Sequence, residues 1–302
     1  MPEASLAVTL LGPADARHSL AARLLGAVPD ILVRELSQMD ETLLRSVSAG
    51  SHLVVHLGAR QRTPVAVAAQ VDVFAEFPVD AERLIRRATD MARRLAAGRL
   101  PPDLPPRLEP WSHTWRVTAQ RISSRLLLAM GDSGASVQHI GSTAVPGLPA
   151  KPIIDLQLAV PRLIDLDLRA GSLSSAGVVD VRAQSPDAPG VLSDVPRGTD
   201  AGGAGWPKRI YAGVDEEQRF VVHGRAIGSP GWRFSLMMRD WLKDDPEARA
   251  EYAALKTRLV AQYARDAHFD RYTLAKEPWL TEASARAEGW AERSGWVVER
   301  AG

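Results

Sequence analysis

The run from Gln138 to Leu158, QHIGSTAVPGLPAKPIIDLQL, constrains the fold more than any other stretch of the chain. It opens on a short apolar segment that runs into Gly141-Ser142-Thr143. It closes on an alternating segment, Pro152 to Val160, that reads as a core strand carrying one carboxylate, Asp155. Glycine lets backbone amides approach a phosphate closely, and serine adds a hydroxyl beside them. A carboxylate projecting from the neighbouring strand is a ligand that hard Mg²⁺ accepts.

A small-residue turn followed by an acidic strand points to nucleotide chemistry. Nucleotidyl transfer uses metal to neutralise phosphate charge, and two or three carboxylates usually share the ions. Here the same-face neighbour of Asp155 is Gln157, an amide. One carboxylate makes a weak Mg²⁺ site unless a second acid arrives from elsewhere. Asp165 and Asp167 follow Val160-Pro161 and read as acids in the first turn of a helix, favoured there by the dipole.

The other candidates gather around this run. His139 either hydrogen-bonds the loop backbone or serves as phosphate donor or general base. Lys151, held extended by Pro152, is a phosphate partner. His223 and Arg225 alternate along VVHGR and leave one face of a strand. Arg233 and Arg239 flank a helix, Trp232 to Lys243, and an arginine aimed at the pocket would hold phosphate bidentately. Arg239 also stands next to Asp240, as a surface pair would. Lys276 precedes Glu277-Pro278-Trp279 and closes the set. Trp232, Trp241, Trp279 and Trp290 read as packing residues.

The rest of the chain divides at LPPDLPPR, residues 100–107, where four prolines in eight positions exclude helix and make a stiff linker. Before it, residues 1–99 alternate strand and helix. Ser5 to Gly12 reads as a buried strand and Ala14 to Leu25 as a helix with Leu20, Leu24 and Leu25 on one face. Ile31 to Leu36 and Ser51 to Leu57 read as strands, and Val65 to Phe74 as an apolar segment. Ala81 to Ala97 reads as a helix with Leu84, Ile85, Ala88, Met91 and Leu95 inward, arginines outward, and Gly98 at its end. After the linker, residues 108–302 begin with a helix, Thr114 to Gly131, with Val117, Ile122, Leu126, Leu127 and Met130 inward. Ile164 to Ala176 is helical. Asp180 to Gly205 is a long loop or flap. A hairpin, Lys208 to Ala212 with Arg219 to Ala226, turns at Val214–Glu217. Helices at Trp232 to Lys243, Pro246 to Tyr263 and Pro278 to Arg293 complete the domain.

Charge and composition narrow the partners. Lys+Arg is 37 and Asp+Glu 36, a formal net charge of +1, which argues against general attraction to nucleic acid or acidic membranes. Cysteine is absent, which excludes disulfides and thiolate metal sites. The start, Met1 to Ala4, lacks the pattern of a signal peptide, and no apolar window is long enough to span a bilayer, so a cytoplasmic location is expected.

The first segment also carries an echo of a phosphate-binding loop. After its first strand comes Gly12-Pro13-Ala14-Asp15-Ala16-Arg17-His18-Ser19. Arg17 stands where a Walker A loop has its second glycine and His18 where it has lysine, so no ATP hydrolysis or phosphoryl transfer is expected there.

From about Leu108 to Trp296 the chain resembles the GrpB family. The resemblance is carried by HIGSTAVPGLPAKPIIDL, by GSPGWRF at Gly228–Phe234, by RDWL at Arg239–Leu242, by EYAALK at Glu251–Lys256 and by KEPW at Lys276–Trp279. It is most similar to the version fused behind dephospho-CoA kinase in actinobacterial proteins, where a kinase domain stands N-terminally. The first 100 or so residues are short for such a domain. The resemblance implies a nucleotidyltransferase-like mixed sheet with flanking helices, α+β, preceded by a small degenerate P-loop-like α/β domain. The expected ligand is a nucleotide or phosphorylated small molecule, held by Gly141, Ser142, Thr143, Lys151, Arg225, Arg233, Arg239 and Lys276. Catalysis, if metal-assisted nucleotidyl transfer, would fall to Asp155, His139 and His223, with Mg²⁺ on Asp155. The rival expectation is a non-catalytic binder of a ligand or partner. The oligomeric state is not legible in the sequence.

Overall fold

The structure is a computed structural model that describes residues 5–37, 41–58, 60, 63, 65–186, 190–198 and 203–298. The N-terminal residues 1–4, read above for a leader, lie outside the described residues, as do 187–189 and 199–202 of the expected flap.

Two sheets lie on either side of the proline stretch, which carries no helix or strand between residues 100 and 107. The first has four parallel strands in the order β2-β1-β3-β4: β1 (Ala7–Leu11), β2 (Leu32–Glu35), β3 (Leu53–Leu57) and β4 (Val73–Ala75). β1 and β3 are buried at every position, as near-continuous apolar runs in parallel sheets must be. α1 (Ala14–Ala27) and α4 (Ala81–Ala96) cover one face through Leu20, Leu24, Leu84, Ala88 and Met91. α2 (Glu41–Ala49) and α3 (Val65–Ala68) cover the other through Leu44 and Val67. Gly98 ends α4 in a left-handed conformation, φ +58°.

The second sheet is mixed, in the order β5-β6-β11-β10-β7. Its strands are β5 (Ser136–Ile140), β6 (Ile153–Val160), β7 (Val178–Asp180), β10 (Arg209–Gly213) and β11 (Arg219–Ala226), and only the central pair β6–β11 runs parallel. A two-stranded ribbon, β8 (Ser193–Asp194) with β9 (Trp206–Pro207), forms from the segment expected to be loop. α5 (His113–Met130), capped by the Ser112 side chain, packs Trp115, Ile122, Leu126 and Met130 on the sheet face that carries Leu156, Leu158 and Val222. The short helices α6 (Ile164–Leu168) and α7 (Ala170–Ser175) follow β6. The opposite side holds α8 (Pro230–Asp244), α9 (Pro246–Gln262), α10 (Asp270–Leu274) and α11 (Glu277–Ser294). α8 and α9 each open with a side-chain cap, Ser229 and Asp245, and a proline in the first turn. Trp241 is buried and stacks with Trp279, so these two tryptophans are packing residues as expected. Among the described residues no helix is long and apolar enough to cross a membrane.

Several expected inward faces are corrected. Leu25 of α1 is 59 % exposed and Leu127 of α5 is 40 % exposed. In α5 the inward places go to Arg121 and Arg125, which reach into the first sheet: Arg121 pairs with Asp72 and donates to the Ser51 and His52 carbonyls, and Arg125 donates to the His52 carbonyl at 2.9 Å. The arginines of α4 divide: Arg86 and Arg93 face solvent as expected, while others meet the hairpin turn. Arg87 is buried against Asp215 at 2.5 Å, Arg83 meets Glu217 and Arg94 meets Glu216, each at 2.6 Å. The charged hairpin turn is thus a clamp on the first sheet's last helix. Asp165 and Asp167 do sit in the first turn of α6, where Asp167 also takes Arg209 and Arg182.

Candidate functional site

The register of the mixed sheet decides which candidates meet. Ile140, Asp155 and Val221 share one row, and Gln138, Gln157 and His223 the next, so Asp155, Gln157, His223 and Arg225 leave the face that looks toward α8. Gly141 follows Ile140 directly and turns back over Asp155. Its φ of 68° and ψ of −170° are open essentially to glycine alone, and a Cβ there would stand 2.4 Å from Asp155 Oδ2. The turn and the carboxylate therefore touch. Ser142 follows, near enough to the Tyr252 hydroxyl to offset part of the upward shift that burial gives it. Thr143 is buried, and its hydroxyl lies 2.9 Å from His139 Nε2.

Asp155 keeps about a third of its side chain accessible (34 %). Burial alone would raise its pKa. The hydrogen bond and charge of His223, then the charges of Lys151 and Lys276, outweigh that and hold it below the usual carboxylate range. His223 Nε2 lies 3.5 Å from Asp155 Oδ1, a loose contact, and its Nδ1 is buried without a partner. Burial pushes the His223 pKa down, against the pull of Asp155.

Three lysines feel the charge of the carboxylate. Lys151 Nζ lies 3.8 Å from the centre of the Phe269 ring and 5.1 Å from that of Tyr272. Lys276 Nζ lies 4.9 Å from the same Tyr272 ring. Lys256 Nζ donates to the Pro149 carbonyl and lies 4.9 Å from Tyr252. Burial, then the neighbouring Lys276, pushes Lys151 and Lys256 down to about 7, with Asp155 pulling the other way. Lys276 is lowered by burial as well. No described carboxylate comes within ion-pairing distance of any of the three, and Lys151 and Lys276 have no described hydrogen-bond acceptor.

The remaining candidates stand elsewhere or are already engaged. His139 pairs with Leu156 in the register, so its side chain leaves the face opposite Asp155; burial drives its pKa down to about 4 and its Nε2 is held by Thr143. Arg225 is buried between Gln157 Oε1 at 2.9 Å and Asp194 at 2.7 Å. Arg233 is tied to Glu288 on α11 at 2.5 Å. Arg239 forks onto Asp240 at 2.7 and 2.8 Å and donates to the His139 carbonyl, so it fixes β5. In the first sheet, Arg17 fills the turn after β1 and donates to the Gly12 and Leu36 carbonyls, and Gly12 packs so tightly on Leu57 that a Cβ would stand 2.5 Å from its carbonyl oxygen.

Sequence reasoning missed Lys256, Tyr252, Asp194 and Lys208. Asp194 comes from the expected flap and neutralises Lys208 at 2.7 Å together with Arg225. A signal was available for the lysines. The chain has 32 arginines and only five lysines, Lys151, Lys208, Lys243, Lys256 and Lys276. Three of those five feel the charge of Asp155.

Residues 105–286 match the model of the family described as GrpB protein, more than half of the chain. The chain belongs to the GrpB family. The GrpB domain includes every element that builds the Asp155 site. A protein named dephospho-CoA kinase from Mycolicibacterium paratuberculosis is 38% identical over 221 residues, covering 71% of this chain and 53% of that protein. One of the same name from Mycobacterium bovis is 33% identical over 281 residues, 88% of this chain and 67% of its own length. The chain thus spans about half of the first and two-thirds of the second. The crystal structure of conserved protein GrpB from Enterococcus faecalis is similar at 21% identity with a TM-score of 0.48, over 61% of this chain and 99% of that one.

Proposed function

We propose that the GrpB domain of this chain binds a small molecule that carries phosphate, with nucleotides the first class to test. The observation that supports this is the placement of Lys151 and Lys276: two partly buried amines that feel the charge of Asp155, with no described carboxylate within ion-pairing distance of either. Buried charge is costly unless it is paired, and the pairing these lysines lack is what an anionic ligand supplies.

Metal-assisted nucleotidyl transfer, which the family resemblance implies, requires a cluster of acids. The donor set around Asp155 does not fit Mg²⁺. Gln157 gives its oxygen to Arg225 and its nitrogen to the Trp232 carbonyl, and Asp194 is neutralised by Arg225 and Lys208. Among the described residues no three histidine or acidic side chains gather where a metal could sit. The cationic surroundings of Asp155 favour an anion, so the reading is of a binding site, and no chemical step is assigned to a metal.

The test is a thermal-shift series over nucleotides, coenzyme A precursors and inorganic pyrophosphate, with and without Mg²⁺. The expected result is a Tm increase that needs no Mg²⁺ and is lost in Lys276→Gln. A ligand at about 100 times its Kd adds about 2.7 kcal/mol. Affinity should weaken as pH rises above about 7, where Lys151 and Lys256 lose their protons. No shift with any phosphate compound, or one unchanged in Lys276→Gln, overturns the reading.

A further inference from the structure

The scarcity of lysine and the surroundings of Lys151 together say more than anion binding. The chain meets 32 of its 37 basic positions with arginine, yet three of its five lysines feel the charge of Asp155. Arginine serves as well as lysine for holding a phosphate, and often better. What lysine alone offers is an amine that can lose its proton and act as a nucleophile.

The three are not equivalent. Lys256 is committed to the Pro149 carbonyl. Lys208, outside the trio, is committed to Asp194, and Lys243 lies at the α8 surface near Asp240. Lys151 is walled by the Phe269 and Tyr272 rings and shares the Tyr272 ring with the second ammonium, Lys276. Exclusion of water and an adjacent cation are the surroundings that favour a neutral, reactive lysine amine, here against the pull of the ring faces and of Asp155, Asp103 and Asp270 on the ammonium. Lys276, next to Glu277, which Arg197 engages, is left to hold the anion.

We propose that Lys151 forms a reversible imine with small aldehydes or ketones that carry phosphate. The neutral amine's lone pair adds to the carbonyl carbon. The nitrogen gives up its two protons, the carbonyl oxygen leaves as water, and a C=N bond remains. This deepens the phosphate-site reading and rests on it.

The experiment uses the full chain and two probes that differ only at the reacting carbon. Pyridoxal 5′-phosphate carries an aldehyde, and pyridoxine 5′-phosphate carries an alcohol in its place. After borohydride reduction, peptide mass spectrometry of the unmodified protein should place the pyridoxyl adduct on Lys151, about tenfold above any other lysine. Pyridoxal without phosphate should label it far less. Lys151→Arg should lose the adduct, and the unmodified protein should bind pyridoxine 5′-phosphate. If pyridoxine 5′-phosphate binds but labelling spreads evenly over the five lysines or favours Lys243, the imine inference fails and the anion site stands. If neither probe binds, both fail.

Discussion

Gly141→Ala tests the contact on which the site is built. At φ 68° and ψ −170° a non-glycine residue costs about 1–3 kcal/mol in backbone strain. The new methyl would also overlap Asp155, at 2.4 Å from Oδ2, 2.9 Å from Cβ and 3.0 Å from Cγ. Forcing a side chain into filled space adds about 1–3 kcal/mol. The carboxylate cannot simply swing aside, because His223 and the β6–β11 pairing flank it. The total of about 2–6 kcal/mol corresponds to a Tm loss of roughly 5–20 °C for a domain of this size. Differential scanning calorimetry with and without pyrophosphate reads both the loss and the ligand response. A variant that melts with the parent and keeps the full pyrophosphate shift would show that the turn does not press on Asp155, and the site geometry would be wrong.

Two further predictions concern the junction of the sheets. His52 accepts the Ala7 amide at Nδ1, and burial, then Arg125 and Arg121, pushes its pKa down to about 3. Its neutral form is kept in the fold, so stability is full above the unfolded value near 6.5 and falls as pH drops toward 3, at up to about 1.4 kcal/mol per unit. Urea melts of His52→Gln should show a flatter slope over that window than the parent; equal slopes would remove His52 as the source. Asp215→Ala leaves the buried Arg87 only Glu217, 3.1 Å away, and should cost about 3 kcal/mol, whereas Arg87→Met with Asp215→Leu should recover part of it. An Asp215→Ala protein as stable as the parent would show that the clamp contributes nothing.

Much of the site was legible because its signals are local. A glycine that the backbone requires and a lone acid on an alternating strand can be read within twenty residues, and Gly141 and Asp155 do touch. The longer helices and the strands β1, β3, β6 and β11 followed from periodicity for the same reason, whereas α2, α10 and the short strands β7, β8 and β9 did not. The arginines that share the inward faces of α4 and α5 were not legible. Arg87, Arg121 and Arg125 sit at helical spacing among apolar residues, and a charge so placed looks solvated until the acid or carbonyl that meets it is known. Those partners lie 49 to 128 residues away along the chain. His139 was misplaced because sequence proximity to the turn hides the strand alternation that sends its side chain to the other face. Asp194 was hidden in a segment whose composition reads as loop.

The most direct measurement is the Kd of pyrophosphate for Asp155→Asn, with and without Mg²⁺, by isothermal titration calorimetry. If Asp155 is a lone carboxylate among lysines, removing its charge leaves binding intact or tighter, and Mg²⁺ makes no difference. Loss of binding in the variant, together with a Mg²⁺ requirement in the parent, would make Asp155 a metal ligand and contradict the cationic anion site.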